Sequence, residues 1–196
     1  MKVAVIKYNA GNIQSVSFAL ERMGIQYLLT DNPEEISNAD KVIFPGVGEA
    51  STTMNFLRAA GLDKLIGGLK QPVLGICLGM QLMCRYSEEQ NTECLNLFDV
   101  PVLKIPAHTH LKVPHMGWNQ LESVKDWMRP TLENQHMYFV HSYYVPVNQH
   151  TTAQTRYGVS ISAAMRKNNF YAVQFHPEKS AEGGQLVIED FLKARV

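Results

Sequence analysis

Pro72 to Arg85 reads PVLGICLGMQLMCR, and the fold turns on this stretch. Val73, Leu74 and Ile76 form a short apolar run with strand character. Gly75-Ile76-Cys77-Leu78-Gly79 follows, and then a helical stretch is expected over Met80 to Cys84. Glycines two residues either side of a nucleophile-type residue, between a strand and a helix, are the pattern of a nucleophile elbow. The chain must turn sharply there, and Cys77 is the apex. Its sulfur would stand at a helix N-terminus, where free N–H groups and the helix dipole favour a thiolate. Taken alone, the pentapeptide also fits a buried cysteine in a glycine-rich strand turn.

Upstream, strands and helices alternate. Lys2 to Ile6 reads as a buried strand, and Asn9 to Asn12 as a turn and possible helix cap. Ile13, Val16, Leu20 and Met23 recur at helical spacing, and Gly24 ends that helix. Strands follow at Ile25 to Leu29 and Lys41 to Phe44, with a short helix from Pro33 to Ile36 between them. Two more helical segments end at Gly61 and Leu69. This alternation predicts an α/β fold with a central, mostly parallel sheet flanked by helices. Sites in such sheets form at the carboxyl ends of the strands. Both Pro45-Gly46-Val47-Gly48 and the Cys77 elbow fall at such ends.

Downstream the rhythm changes. Glu88 to Glu93 reads as a polar loop, and Leu95 to Ile105 as apolar runs broken by Pro101 and Pro106. Strand-like pieces lie at Leu111 to Val113, Tyr138 to Val145, Thr151 to Thr155, Ser160 to Arg166 and Phe170 to Phe175. No long helix separates them, so the C-terminal half is expected to be rich in antiparallel strands. Gln185 to Ala194 suits a docking helix. No repeat or linker interrupts the chain, and residues 1–196 are expected to form one domain.

Phe170 to Glu178 reads FYAVQFHPE, an apolar strand that ends directly in His-Pro-Glu. Pro177 fixes the local backbone, so His176 and Glu178 leave the strand end in a defined geometry. A nucleophilic cysteine needs an imidazole as base and then acid, and the imidazole needs a third group to fix its tautomer. Cys77, His176 and Glu178 supply those residue types. A histidine at a strand end is commonly just a polar terminus. Its occurrence together with an elbow cysteine is what points to catalysis.

Composition narrows the function classes. The chain carries 18 Lys and Arg against 18 Asp and Glu, so no net charge favours nucleic acid or an anionic membrane. The N-terminus, MKVAVIKY, enters a strand pattern with no signal-peptide character, and no apolar run approaches membrane-spanning length. Cys77, Cys84 and Cys94 cannot all pair, and their spacing suits no zinc site. A reducing cytoplasm is expected, with Cys84 and Cys94 structural. No P-loop or GxGxxG is present, and no cofactor is expected.

PGVG, GICLGMQ and QFHPEKS, in this order, resemble class I (triad) glutamine amidotransferases. AGNIQSV, FPGVG, NTECL, KVPHMGWN and YFVHSYY extend the likeness over nearly the whole chain. Within the family this fuller set is similar to the glutaminase subunits of imidazole glycerol phosphate synthases. The resemblance implies Cys77 as nucleophile, His176 as base and acid, and Glu178 as the carboxylate that orients it. It implies an oxyanion hole from the Leu78 N–H and a second donor near Val47 and Gly48, available after a peptide reorients. Gln81 and the backbone around Ser142 and Tyr143 would hold glutamine. Trp118, Tyr138 and Lys179 would lie where ammonia leaves for a partner, a separate (β/α)₈-barrel cyclase subunit in a 1:1 heterodimer.

Lys7 and Asn9 depart from the family pattern, which has an acidic residue and a glycine there. Neither lies in the triad motifs. His108, His110 and His115 lie close in sequence, but no carboxylate joins them, and an exposed loop with a hinge-like PHMG is expected rather than a metal. His141 reads as a satisfied core or near-site histidine. Trp118 and Tyr138 also suit a core, and the two glycines of PGVG also suit a rigid, closely packed turn. Other amidotransferases, such as the glutaminase of pyridoxal phosphate synthesis, usually follow the third strand with a Gly-Gly loop, unlike Pro45 to Glu49. In an α/β-hydrolase the carboxylate precedes the histidine, whereas Glu178 follows His176. A catalytically silent module would have no reason to keep all three residues.

Overall fold

A computed structural model describes residues 1–8, 13–107 and 111–195. The Asn9 to Asn12 cap, the Asn9 departure, His108 and His110 lie outside the described residues. In chain order the elements are β1 (Val3–Ile6), α1 (Ile13–Arg22), β2 (Tyr27–Thr30), α2 (Pro33–Ser37), β3 (Lys41–Phe44), α3 (Ala50–Ala59), α4 (Leu62–Gly68), β4 (Val73–Ile76) and α5 (Leu78–Leu82). There follow β5 (Cys84–Ser87), β6 (Thr92–Glu93), β7 (Phe98–Lys104), β8 (His115–Gln120), β9 (His136–His141), β10 (Tyr143–Tyr144), β11 (Thr151–Tyr157), β12 (Val159–Lys167), β13 (Phe170–Val173) and α6 (Ala181–Lys193).

The main sheet runs β11-β12-β13-β4-β3-β1-β2. Its β13-β4-β3-β1-β2 part is parallel, and β12 and β11 extend it antiparallel beyond β13. Both faces are covered, and the strands show it in their two-residue period. Ala4, Ile6, Val42, Phe44 and Val73 pack with Ile36, Met54, Leu57 and Ile66 of α2, α3 and α4 on one face. Val3, Val5, Ile43, Leu74 and Ile76 pack with Val16 and Leu20 of α1 and Val187, Ile188 and Phe191 of α6 on the other. This is the expected α/β architecture. A four-stranded sheet, β10-β7-β5-β6, and the β8-β9 ribbon stand beside it.

Four details differ from the sequence reading. The elbow helix is Leu78–Leu82 rather than Met80 to Cys84, and Cys84 opens β5, paired with Phe98. Residues 78–84 are buried on every side, so no apolar stripe marks where helix yields to strand. The polar loop after Ser87 contains a 3-10 turn, Glu89–Asn91, and then β6. Pro101 does not break β7; it pairs with Tyr86 directly after an irregularity in the β5 register, a setting in which strands tolerate proline. Residues 111–113 form no strand; the strand is β8, which carries His115 and Trp118 antiparallel to His141 and Tyr138 of β9. His115 is therefore buried in a ribbon, not in an exposed loop.

Candidate active site

The elbow is built by close approach. A side chain at Gly75 would lie 2.8 Å from Met83 Sδ, and one at Gly79 would collide with the Phe44 carbonyl oxygen. With both positions bare, α5 begins directly after β4, and Cys77 takes the turn with φ 51° and ψ −107°. A non-glycine residue at positive φ costs roughly 1–3 kcal/mol, which the surrounding packing must offset. The Cys77 N–H donates to Val173 at 2.8 Å, tying the apex to the end of β13.

β13 delivers the imidazole beside it. The His176 N–H donates to the Tyr138 carbonyl at 2.9 Å, and Ser180 Oγ donates to the His176 carbonyl at 2.6 Å. His176 Nδ1 lies 2.7 Å from Glu178 Oε1, and both side chains are buried. Burial works against an imidazolium here. The negative sulfur of Cys77 and its hydrogen bond, then Glu178, outweigh it and raise the His176 pKa above its ordinary value. The carboxylate accepts at Nδ1, so Nε2 is the nitrogen left to serve the sulfur.

A cavity of about 320 Å³ opens over Cys77. Val47, Gly48 and Leu78 line it together with Gln81 and the Val140 to Tyr143 segment. All six expected oxyanion and glutamine-site residues are therefore together. Gln81 Nε2 donates to the Tyr143 carbonyl at 2.9 Å and to Gln174 Oε1 at 3.0 Å. Gln174 in turn donates to Cys77 Sγ at 3.6 Å. Trp118 and Tyr138 form an edge-on ring pair, centroids 6.0 Å apart, outside the cavity. Lys179 is exposed one residue beyond Glu178, and Lys7 is exposed at the end of β1. A larger cavity, about 470 Å³, lies at the opposite end of β1 and has neither thiol nor imidazole among its described lining residues.

Three residues escaped sequence reasoning. Glu89 lines the cavity and accepts the Ala50 N–H at 2.8 Å. Burial first, against that N–H and with Glu49 adding to it, raises its pKa. Nothing distinguished Glu89 within a polar loop. Gln174 lay inside the quoted QFHPEKS stretch without a role. Tyr8 is buried at the end of β1, and its hydroxyl donates to the Pro45 carbonyl. Burial and then the nearby Cys77 charge raise its pKa.

The class-I glutamine amidotransferase family model matches residues 4–194. The imidazole glycerol phosphate synthase subunit HisH of Bacteroides fragilis (strain YCH46) is 56% identical over 195 residues, 98% of this chain and 100% of that one. The Haemophilus influenzae (strain Rd) subunit of the same name is 45% identical over 195 residues, 98% of each chain. Among solved structures, a glutamine amidotransferase superposes with TM-score 0.75 at 19% identity, covering 97% of both chains. Another glutamine amidotransferase, from Thermotoga maritima, gives 0.63 at 16% identity, over 98% of this chain and 82% of that one. At such identity the structural likeness concerns the fold.

Proposed function

The chain belongs to the class-I glutamine amidotransferase family, and from that premise we propose how its site releases ammonia from glutamine. It is the glutaminase subunit of an imidazole glycerol phosphate synthase, acting in histidine biosynthesis. One observation carries the mechanism: Cys77 lines a cavity of about 320 Å³, and His176, paired with Glu178, stands against its sulfur.

Glutamine lies with its side-chain amide over Cys77 and its α-carbon toward Gln81, Ser142 and Tyr143. Glu89, the one carboxylic side chain among the described residues lining the cavity, faces its ammonium group. The Cys77 thiolate attacks the amide carbon. His176 gives its proton to the departing ammonia, leaving a thioester and a neutral imidazole. The imidazole then takes a proton from water, hydroxide adds to the thioester, and glutamate leaves as the thiolate returns. Glu178 holds the ring and supports its charge throughout. The Leu78 N–H and an N–H from Val47 or Gly48 hold the oxyanion after the loop reorients.

The ammonia is used elsewhere. We take the acceptor to be a (β/α)₈-barrel cyclase subunit that produces imidazole glycerol phosphate and an aminoimidazole carboxamide ribotide. The exposed Met116 and Trp118, with Tyr138 and Lys179 beside the His176 turn, form the partner face and ammonia exit. Among the described residues no helix is long and apolar enough to cross a membrane, and we place the complex in the cytoplasm.

The test is glutamate and ammonia release by the chain with and without the barrel partner and its acceptor substrate. Cys77→Ala should abolish release and keep glutamine binding. Undiminished activity in that variant, or full partner-independent turnover by the wild type, would refute the reading.

A further inference from the structure

Two buried histidines outside the triad stand directly opposite each other in the β8-β9 ribbon, His115 and His141. His141 Nδ1 is 2.7 Å from the Tyr143 carbonyl oxygen. A carbonyl only accepts, so that nitrogen carries the proton and Nε2 carries a lone pair. His115 Nδ1 lies 3.0 Å from that lone pair and must donate to it. His115 Nε2 is then an acceptor, and it faces the Asn119 amide nitrogen at 3.4 Å. The second Asn119 hydrogen goes to the Arg156 carbonyl at 2.9 Å. The directions form one consistent chain, Asn119 to His115 to His141 to the Tyr143 carbonyl, with both rings neutral. A second proton on His141 would set N–H against N–H.

The rest of the environment holds the same state. His115 stacks between Tyr157, centroids 3.9 Å apart, and Phe139, centroids 5.0 Å apart. Burial pushes the His115 pKa down to about 4. Burial pushes His141 to about 3, against the Tyr143 carbonyl, and the nearness of two other imidazoles, His115 and His176, adds to the effect. His141 has both nitrogens committed, so it is not a second base beside Cys77. What it does hold is the Tyr143 carbonyl, which also receives Gln81. Two donors on one carbonyl fix the main chain of the cavity wall.

We propose that His115 and His141 are a neutral positioning pair that shapes the Ser142–Tyr143 main chain to receive glutamine, a role that rests on glutamine being the ligand of this cavity. The pair acts on binding, while the chemistry stays with His176.

The experiment has two arms. In the partner-bound, acceptor-stimulated enzyme, His141→Leu removes the donor, and His141→Asn places an amide N–H near the former Nδ1. Loss of one hydrogen bond to a binding-site carbonyl predicts a glutamine KM raised about tenfold in His141→Leu, with kcat within about threefold and Asn recovering most of the loss. Unchanged KM, a loss confined to kcat, or no recovery with Asn would overturn the proposal. Calorimetry of glutamine with the Cys77→Ala chain separates the premises: no binding there refutes the glutamine reading itself, and equal binding with and without His141→Leu refutes only the pair. The second arm needs no substitution. Imidazole nitrogen NMR of the intact labelled chain at neutral pH should show both rings as Nδ1–H tautomers, and Nε2–H tautomers or imidazolium signals would overturn it.

Discussion

The backbone N–H of Leu78 donates to the carbonyl oxygen of Gly46 at 3.3 Å. Leu78 follows Cys77 at the elbow, and its N–H is the donor an oxyanion hole there would use first. In this structure that donor faces a loop carbonyl. The Pro45-Gly46-Val47-Gly48 loop thus presents its acceptor, not its N–H, to the reacting centre. Losing one oxyanion donor costs about 3 kcal/mol, a hundredfold or more in rate, so a chain held in this pose should show low glutaminase activity until the loop turns.

The two loop glycines serve different ends. A side chain at Gly46 would collide with the Tyr8 hydroxyl, whereas one at Gly48 would meet Leu78 Cδ2 at an ordinary 4.0 Å but would be strained by φ +131°. Gly46→Ala should therefore destabilise by about 1–3 kcal/mol through overpacking. Tyr8→Phe in the same chain should recover part of that loss, because it removes the colliding oxygen. Gly48→Ala should show no such coupling to Tyr8, and it should lower the acceptor-stimulated glutaminase rate by restricting the loop. Urea midpoints of the single and double variants test the first point. If the Gly46 and Tyr8 effects simply add, the contact is not what excludes a side chain at 46. If Gly48→Ala leaves both basal and stimulated rates at wild type, the loop does not need to move.

Glu89 offers a prediction about substrate binding. Its Oε2 is anchored by the Ala50 N–H, so the carboxylate is held at the cavity rather than swinging in solvent. Glu89→Gln keeps the shape and removes the charge. A charge-assisted hydrogen bond to the glutamine ammonium is about twice as strong as a neutral one, so KM should rise by roughly tenfold or more. The kcat should change much less. A normal KM would place the ammonium elsewhere.

The folded-state pKa values of His115 and His141 lie below the usual 6.5, at about 4 and about 3. The unfolded chain then binds more protons than the folded one as pH falls below about 6.5. Their contribution to stability is full above that value and is lost as pH falls toward the folded values. His176 is shifted the other way, so its contribution is full below about 6.5 and is lost only as pH rises through its raised folded value. Urea midpoints should therefore fall between about pH 7.5 and about pH 5, and less steeply in His115→Gln. Parallel slopes in the two proteins would show that His115 is not buried neutral.

The sequence made the scaffold legible because its signals are local. β4, the elbow and β13 are short apolar runs ending in glycine or proline punctuation, and the Cys77 and His-Pro-Glu motifs sit at those ends. Elements bounded by burial alone were not legible. Residues 78–84 lie inside the core on all sides, so the end of α5 and the start of β5 leave no period in the sequence. The site divides in the same way. Cys77, His176 and Glu178 carry their chemistry in their residue types. Glu89, Gln174 and Tyr8 acquire theirs only when β1, β13 and the segment after β5 meet at the strand ends. His115 looked like one of three histidines in a loop, and its pairing with His141 depends on the β8-β9 register. That register places residues 26 positions apart side by side.

The His176 turn depends on a residue that touches no substrate. A side chain at Gly184, in the first turn of α6, would collide with the Pro177 carbonyl oxygen and come within 2.9 Å of Ser180 Cβ. Pro177 lies between the imidazole and its carboxylate, and Ser180 Oγ holds the His176 carbonyl. Backbone cannot yield as a flexible side-chain end can, so Gly184→Ala must push α6 away or shift the Pro177 peptide. Either response should disturb the 2.7 Å contact between His176 and Glu178. The elbow itself is held by Gly75, Gly79 and Val173, none of which the substitution reaches. Gly184→Ala should therefore lose about 1–3 kcal/mol of stability and lower kcat at least tenfold, with glutamine KM nearly unchanged. A direct check is the glutaminase rate at saturating glutamine beside calorimetric glutamine binding, at a temperature where the variant is fully folded. A variant that is folded, binds glutamine and turns over at the wild-type rate would show that the turn tolerates the displacement. The close fit of α6 would then stabilise the fold without setting the triad.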